Sequence, residues 1–479
     1  MAKKNVKKKT KGHYPAPLAA INSVIYGFSK PIDKGLRNEA KEFSKLVITP
    51  ISKNLVQLFY NQESLKKYTG VSDDTIRPKV IKKAGVIGAG LMGAGITWAL
   101  SYKGVETRLK DVENKFLVKG LQQINTIYKQ LVKIRRLTPT QANILFLKNV
   151  STTSNFSGFH DRDIVIEAIV EDIEIKKKVF QQLERQVPDH CILASNTSSL
   201  SINEMSTVLT RPENFIGMHF FSPVNRMPLV EIIVGDKTSP ETIASVVQLS
   251  KGLKKTPVVV KDCPGFLVNR VLLPYLNEAV KCVQDGVSVE KIDQIAVKFG
   301  MPLGPLSLAD EVGLDVGYKV AMVLEAGYGE RMKTAQVFQD IIGDSDCRGR
   351  KSKKGFYIYK SGNKEVNRPL VDRAVSYSSM SNQKYLDSDV LDRMILVMVN
   401  ESVRCLAEGV VENHLLLDMA MILGTGFPPF RGGVLRYADS RGIKEIVTRL
   451  RELASVYGER FKPADLLIQY AQDGKSFYK

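Results

Sequence analysis

Residues 85–95 read GVIGAGLMGAG, and few backbones can use such a stretch. Gly88, Gly90 and Gly93 stand in GxGxxG spacing, between the short apolar run Gly85-Val86-Ile87 and a helical pattern through Ala94, Ile96 and Ala99. That order suits a buried strand, a tight turn and a helix whose free N–H groups favour an anion. The first glycine permits the turn, the second lets a pyrophosphate approach the backbone, and the third lets the helix pack closely on the strand. Val105 to Asp111 reads as the second strand, and it ends in an acid at the distance where a carboxylate meets ribose hydroxyls. Such an acid repels a 2′-phosphate, but Arg108 and Lys110 beside it leave the phosphorylated dinucleotide open.

The chain that follows alternates strand-like and helical stretches. Asp163 to Ile166, Ile192 to Ala194, Phe215-Ile216 and Thr256 to Val260 read as buried strands, which implies a mainly parallel sheet. After Pro264 the strand signal stops. NRVLLPYLNEAVKCVQDGV (269–287) and DRMILVMVNESVRCLAEGV (392–410) match in register, pairing Asn277-Glu278 with Asn400-Glu401, Cys282 with Cys405 and Gly286 with Gly409. This is a duplicated helical unit, with 340–390 as its connector. Ahead of the glycine turn, 1–12 reads as a disordered basic tail and 14–69 as helical. The expected organisation is a tail and helical connector over 1–79, an α/β dinucleotide-binding domain of Rossmann type over 80–263, a first helical domain with connector over 264–385, and a second helical repeat over 386–479.

Composition narrows the class further. A hydrophobic fraction of 44% allows a large core, while no apolar run approaches the roughly 18 residues of a membrane span. The N-terminal lysines lack a following apolar stretch, so they are not a secretory signal. Five scattered cysteines without a CxxC pair argue against a disulfide framework or a structural zinc, and for a reducing, cytoplasmic-type compartment. The net charge of +19 fits nucleic acid, an acidic surface or a polyanionic small ligand. The most suggestive basic stretch, Arg348 to Lys354 beside Phe356, Tyr357 and Tyr359, reads more simply as a basic loop leading into an edge strand.

A hydride acceptor calls for an alcohol, and an alcohol calls for a base near neutral pH. Of the five histidines, only His219 in GMHFFSPVNRMPLVEII follows a predicted strand of the sheet, where doubly wound folds bind ligands. It is either a packed core histidine or a base oriented by Glu231, if the intervening segment folds back. Ser198 in LASNTSSL follows another strand end and could meet a substrate oxygen, or serve as capping chemistry for the helix near Ser201. Asn269 in PGFLVNR could donate from the opposite wall, or mark a helix start.

GVIGAGLMGAG, IEAIVED, LASNTSSL, GMHFFSPVNRMPLVEII and KDCPGFLVNR, in that order, resemble the L-3-hydroxyacyl-CoA dehydrogenases over about residues 80–479. The helical duplication, GRKSKKGFYIYK and GTGFPPFRGG narrow the resemblance to the dehydrogenase part of the multifunctional α chains of fatty-acid oxidation. It implies oxidation of an L-3-hydroxyacyl-CoA to a 3-oxoacyl-CoA with NAD. His219 matches the catalytic base, Glu231 its carboxylate, and Ser198 and Asn269 the contacts to the substrate oxygen. Gly88, Gly90, Met92, Gly93 and Asp111 match cofactor-binding positions, and Glu171 and Lys176 positions beside the nicotinamide ribose. Ser222 stands where stand-alone enzymes carry Asn and can still donate a hydrogen bond. Such α chains begin with an enoyl-CoA hydratase domain, whereas a dozen basic residues precede the connector here, so hydratase activity is expected to be missing. A hydratase acting in trans, a thiolase β chain or a second copy are the partners implied. Lys129, Lys133, Arg135 and Arg136 are candidate cations for the CoA phosphates. An assembly subunit without activity, a hydroxyacid dehydrogenase with a lysine base and, last, a nucleic-acid binder are the competing classes.

Overall fold

The glycine turn joins β1 (Lys83–Ile87) to helix α1 (Leu91–Tyr102), and β1 is the hub of an eight-stranded sheet. The other strands are β2 (Glu106–Lys110), β3 (Val150–Thr153), β4 (Ile164–Glu167), β5 (Ile192–Ser195), β6 (Phe215–Phe220), β7 (Leu229–Val234) and β8 (Thr256–Lys261), in the order β3-β2-β1-β4-β5-β6-β7-β8. The structure is a computed structural model and describes residues 1–73, 75–344, 346–360, 363–378 and 385–478. The strands from β3 to β6 run parallel, β7 turns back antiparallel to β6, and β8 runs parallel to β7. Chain order reverses between β1 and β4, which opens a crevice at the strand ends there. Val86, Ile164, Val165, Ile166 and Ile192 are fully enclosed, as expected for strands covered on both faces.

The strand reading omitted two members. In β3, VSTT is polar, and all four residues are half-buried, so apolarity gave no signal. β7 carries a charge, Glu231, in an otherwise apolar run, and its antiparallel direction is set by the turn before it.

Contact clustering divides the chain into two compact units. One comprises residues 65–270 with 405–416 and holds the sheet; the other comprises 1–64, 271–404 and 417–479. The second is built around the duplicated helices α2 (Val268–Gln284) and α3 (Asp387–Ala407). Its two copies carry the same polar staples. Asp293 accepts from the Leu306 and Ser307 amides and the Tyr357 hydroxyl, and Asp418 accepts from the Leu435 and Arg436 amides and the Tyr478 hydroxyl. Asn277 holds Lys333 and Ala335 through backbone bonds, as Asn400 holds Lys462 and Ala464.

Two expectations need correction. Residues 2–10 form a helix, although it buries nothing; straight-chain lysines with no Gly or Pro among them suffice to wind it. Strands do not end at Pro264: the edge strand expected after the basic loop, Tyr357–Lys360, pairs with Asn363–Val366 as an antiparallel hairpin. The basic loop before that hairpin is locally neutralised, with Lys351 on Asp315, Lys354 on Asp344 and Arg350 on Glu311. The connector at 340–390 lies partly outside the described residues. In the arm, the helices Ala16–Gly27 and Ile32–Val47 bury no side chain and leave Phe28, Ile32, Phe43 and Ile48 exposed. Its next helix, Pro50–Lys67, is anchored through Leu58 and by the Asn54 amide on the Phe430 carbonyl. No helix among the described residues is long and apolar enough to cross a membrane.

Candidate active site

At the glycine turn, backbone and carboxylate leave open ground for a phosphate. Gly88 has φ 101°, and a Cβ there would lie 2.5 Å from the Ala168 carbonyl oxygen. A Cβ on Gly93 would lie 1.8 Å from the Gly88 carbonyl oxygen, so α1 can approach the turn only with glycine there. Beside Gly90 a Cβ would meet nothing within 4 Å, the one side of the loop where a ligand can come against the backbone. Met92 packs against the core just inside the helix. Asp111 accepts from the Ala89 and Val112 amides, each at 2.7 Å, which fixes its carboxylate at the rim of the loop. The two cations that had left a phosphorylated dinucleotide open are engaged elsewhere. The Lys110 ammonium sits 4.7 Å from the Phe156 ring centre, and Arg108 Nε donates to the Ser157 carbonyl. Loop, helix terminus and acid together fit a dinucleotide.

The antiparallel register of β6 and β7 sets His219 directly opposite Glu231. Their side chains meet, Nδ1 to Oε2, at 2.8 Å. The other oxygen, Oε1, accepts from the Leu267 and Val268 amides at 3.1 and 2.8 Å, at the start of α2. A carboxylate with these donors around it is acceptor-only, so Nδ1 donates to it and, in the neutral ring, Nε2 is the acceptor. Glu231 is fully buried, and the helix terminus favours its negative charge. Phe221 packs on the imidazole with ring centres 4.4 Å apart. Asn196, at the end of β5, accepts from the Phe220 amide and ties β6 to its neighbour.

Ser198 and Asn269 are brought together as well. Asn269 Nδ2 donates to the Ser198 carbonyl at 2.9 Å. The Ser198 hydroxyl and amide both donate to Glu171 Oε1, at 2.9 and 2.7 Å, joined by the Thr197 hydroxyl at 2.6 Å. Capping falls to Ser201 rather than Ser198: the Ser201 hydroxyl accepts from the Glu204 amide. Burial pushes the Glu171 carboxyl up, but Lys176 and the Thr197 and Ser198 donors outweigh it and hold the group below the usual range. Lys176 is fully buried, with its ammonium on Glu167 at 2.6 Å. Ser222 lies exposed in the turn between β6 and β7. Lys129, Lys133, Arg135 and Arg136 are all exposed.

Glu167, Asn196 and Thr197 escaped the sequence reading. One signal was available for the first: Lys176, Phe180 and Leu183 share a helical face, so this lysine of a three-lysine run is the one turned inward and in need of an acid.

A doubly wound sheet with a glycine turn, a ribose-side acid and a buried imidazole–carboxylate pair defines a dinucleotide-dependent oxidoreductase. The 3-hydroxyacyl-CoA dehydrogenase NAD-binding domain matches residues 83–263, and the C-terminal domain of the same enzymes matches 265–359. The chain belongs to the 3-hydroxyacyl-CoA dehydrogenase family, and it is an NAD-dependent oxidoreductase acting on 3-hydroxyacyl-CoA. It is 43% identical over 481 residues to the fatty acid oxidation complex subunit alpha of Shewanella amazonensis, an alignment covering 100% of this chain and 67% of that protein. Among solved structures it is similar to 3-hydroxybutyryl-CoA dehydrogenase from Escherichia coli, with TM-score 0.73 and 26% identity over 82% of this chain and 99% of that one. It is also similar to the dehydrogenase part of multifunctional enzyme 1 from C. elegans, with TM-score 0.62 and 31% identity over 87% and 98%.

Proposed function

We propose that His219 is the general base for the C3 hydroxyl of an L-3-hydroxyacyl-CoA in fatty acid β-oxidation. The observation that carries this is the His219–Glu231 pair, buried at strand ends and fixed in the tautomer that leaves Nε2 free to accept a proton. Bound NAD supplies the acceptor for the hydride that leaves C3. As the hydroxyl proton moves to Nε2, Glu231 stabilises the imidazolium through Nδ1–H. Ser198 and Asn269 hold the substrate oxygen. Gly88, Gly90, Met92, Gly93 and Asp111 hold the dinucleotide, with Glu171, Lys176 and Ser222 at its nicotinamide end. A positioned base contributes roughly 100- to 10,000-fold. His219→Gln is therefore expected to bind NADH normally, by fluorescence titration, and to lose turnover by that factor with acetoacetyl-CoA. Near-full activity would remove His219 from this role.

The likeness to complex α subunits supports a place in an assembly with a thiolase-type β chain, or with a second copy, and a hydratase supplied in trans. The apolar side chains exposed on the arm helices are suited to such association. Size-exclusion chromatography with the thiolase chain tests it. The five cysteines, scattered without a CxxC pair, support a reducing, cytoplasmic compartment.

A further inference from the structure

Glu167 takes no part in the steps above, yet it is among the most firmly held charges in the sheet. It closes β4 beside the crevice where strand order reverses, and it is fully buried. Oε1 accepts from Lys176 Nζ at 2.6 Å and from the Ile169 amide at 2.7 Å, and Oε2 accepts from the Ser195 hydroxyl at 2.6 Å. The Lys176 ammonium, itself enclosed, lies 3.5 Å from a second acid, Glu171 Oε2. Glu171 in turn grips Ser198 through its other oxygen. One buried ammonium therefore stands between two carboxylates, close to the first and farther from the second.

We propose that Glu167 is a positioning residue for the dehydrogenase reaction. By holding Lys176 it sets how closely that ammonium approaches Glu171, and so keeps Glu171 placed to fix Ser198 through its amide, from where the hydroxyl proton can turn to the substrate oxygen. A buried ammonium does not stay unpaired. Without the Glu167 charge, Lys176 closes on Glu171 and draws that carboxylate away from Ser198. The inference rests on the reading of Ser198 as a substrate contact.

The test is a double-mutant cycle on the full chain, measuring kcat and KM with acetoacetyl-CoA and NADH for Glu167→Gln, Ser198→Ala and the double variant. Misplacement of a reacting contact costs roughly 100-fold, so Glu167→Gln is expected to lower kcat by about that factor. In the Ser198→Ala background the same change should cost nothing further. A merely structural role would lower activity by the same factor in both backgrounds. Full activity in Glu167→Gln, or losses that multiply, overturns the proposal while leaving Ser198 as a contact. Full activity in Ser198→Ala overturns the substrate-contact reading and this proposal with it. Should Glu167→Gln not fold, Glu167→Asp keeps the charge but shortens its reach to Lys176. A smaller kcat loss is then expected, again absent beside Ser198→Ala, and an absent or multiplying loss overturns the proposal.

Discussion

The two helical copies keep one scaffold but put it to different uses. At the register of the repeat, Asn269 in the first copy corresponds to Asp392 in the second, and Arg270 to Arg393. Asn269 donates to the Ser198 carbonyl. Asp392 instead binds Arg441 Nη2 and Arg449 Nε, each at 3.0 Å, which serves packing within its own copy. The arginines also diverge. Both are fully buried, but Arg270 pairs with Glu408, which is half-exposed, whereas Arg393 lies between Glu278 and Asp285 at 2.7 Å each, both largely buried. Duplication has thus preserved the charges that hold the helices, while the first copy's Asn269 reaches Ser198 and the second copy's Asp392 binds within its own copy.

The largest break in this pattern should come at Arg393. Removing one partner of a buried ion pair costs about 3–5 kcal/mol, so Arg393→Met should lower the urea midpoint sharply and Arg270→Met far less, with Glu408 left facing water. Equal shifts would mean that the two arginines are equivalent after all. Next, Asn269→Ala should lose about 2.7–4 kcal/mol of transition-state stabilisation, read as a fall in kcat with the melting temperature little changed. Asp392→Ala should do the reverse, and a kcat loss there would show that the second copy reaches the chemistry.

The smallest effect is a pH dependence at the second copy's staple. Burial pushes the Asp418 carboxyl up to about 7, although the Leu435 and Arg436 amides and the Tyr478 hydroxyl oppose the shift. Between the unfolded carboxylate value near 4 and that folded value, the native state binds the extra proton. Stability contributed by this group is therefore full at low pH and declines as pH rises toward 7. Asp418→Asn should flatten the melting-temperature profile across that window. An unchanged slope would assign it elsewhere, for example to Asp310, which burial raises to about 6.

Much of this was legible in the chain, and the limits have physical reasons. The glycine turn, the acid at Asp111 and the repeat were readable because each depends on local spacing. The pairing of His219 with Glu231 was only conditional, since it needed the register of two antiparallel strands. Reciprocal pairs such as Arg331 with Glu401 and Arg460 with Glu278 were invisible: the loops between repeat helices differ in length, so these arginines fall out of register with the helices that revealed the duplication. Glu167 escaped the reading because its partner lay within a run of three lysines.

The carboxylate of Glu231 serves the ring with one oxygen and the first amides of α2 with the other, and an isosteric amide cannot do both. In Glu231→Gln the single carbonyl oxygen would go to the Leu267 and Val268 N–H groups, leaving the NH2 aimed at Nδ1. That nitrogen would then have to accept, and the ring proton would move to Nε2, where the substrate hydroxyl needs a lone pair. A replacement of the same shape would disable the base by moving one hydrogen across a ring that itself stays in place.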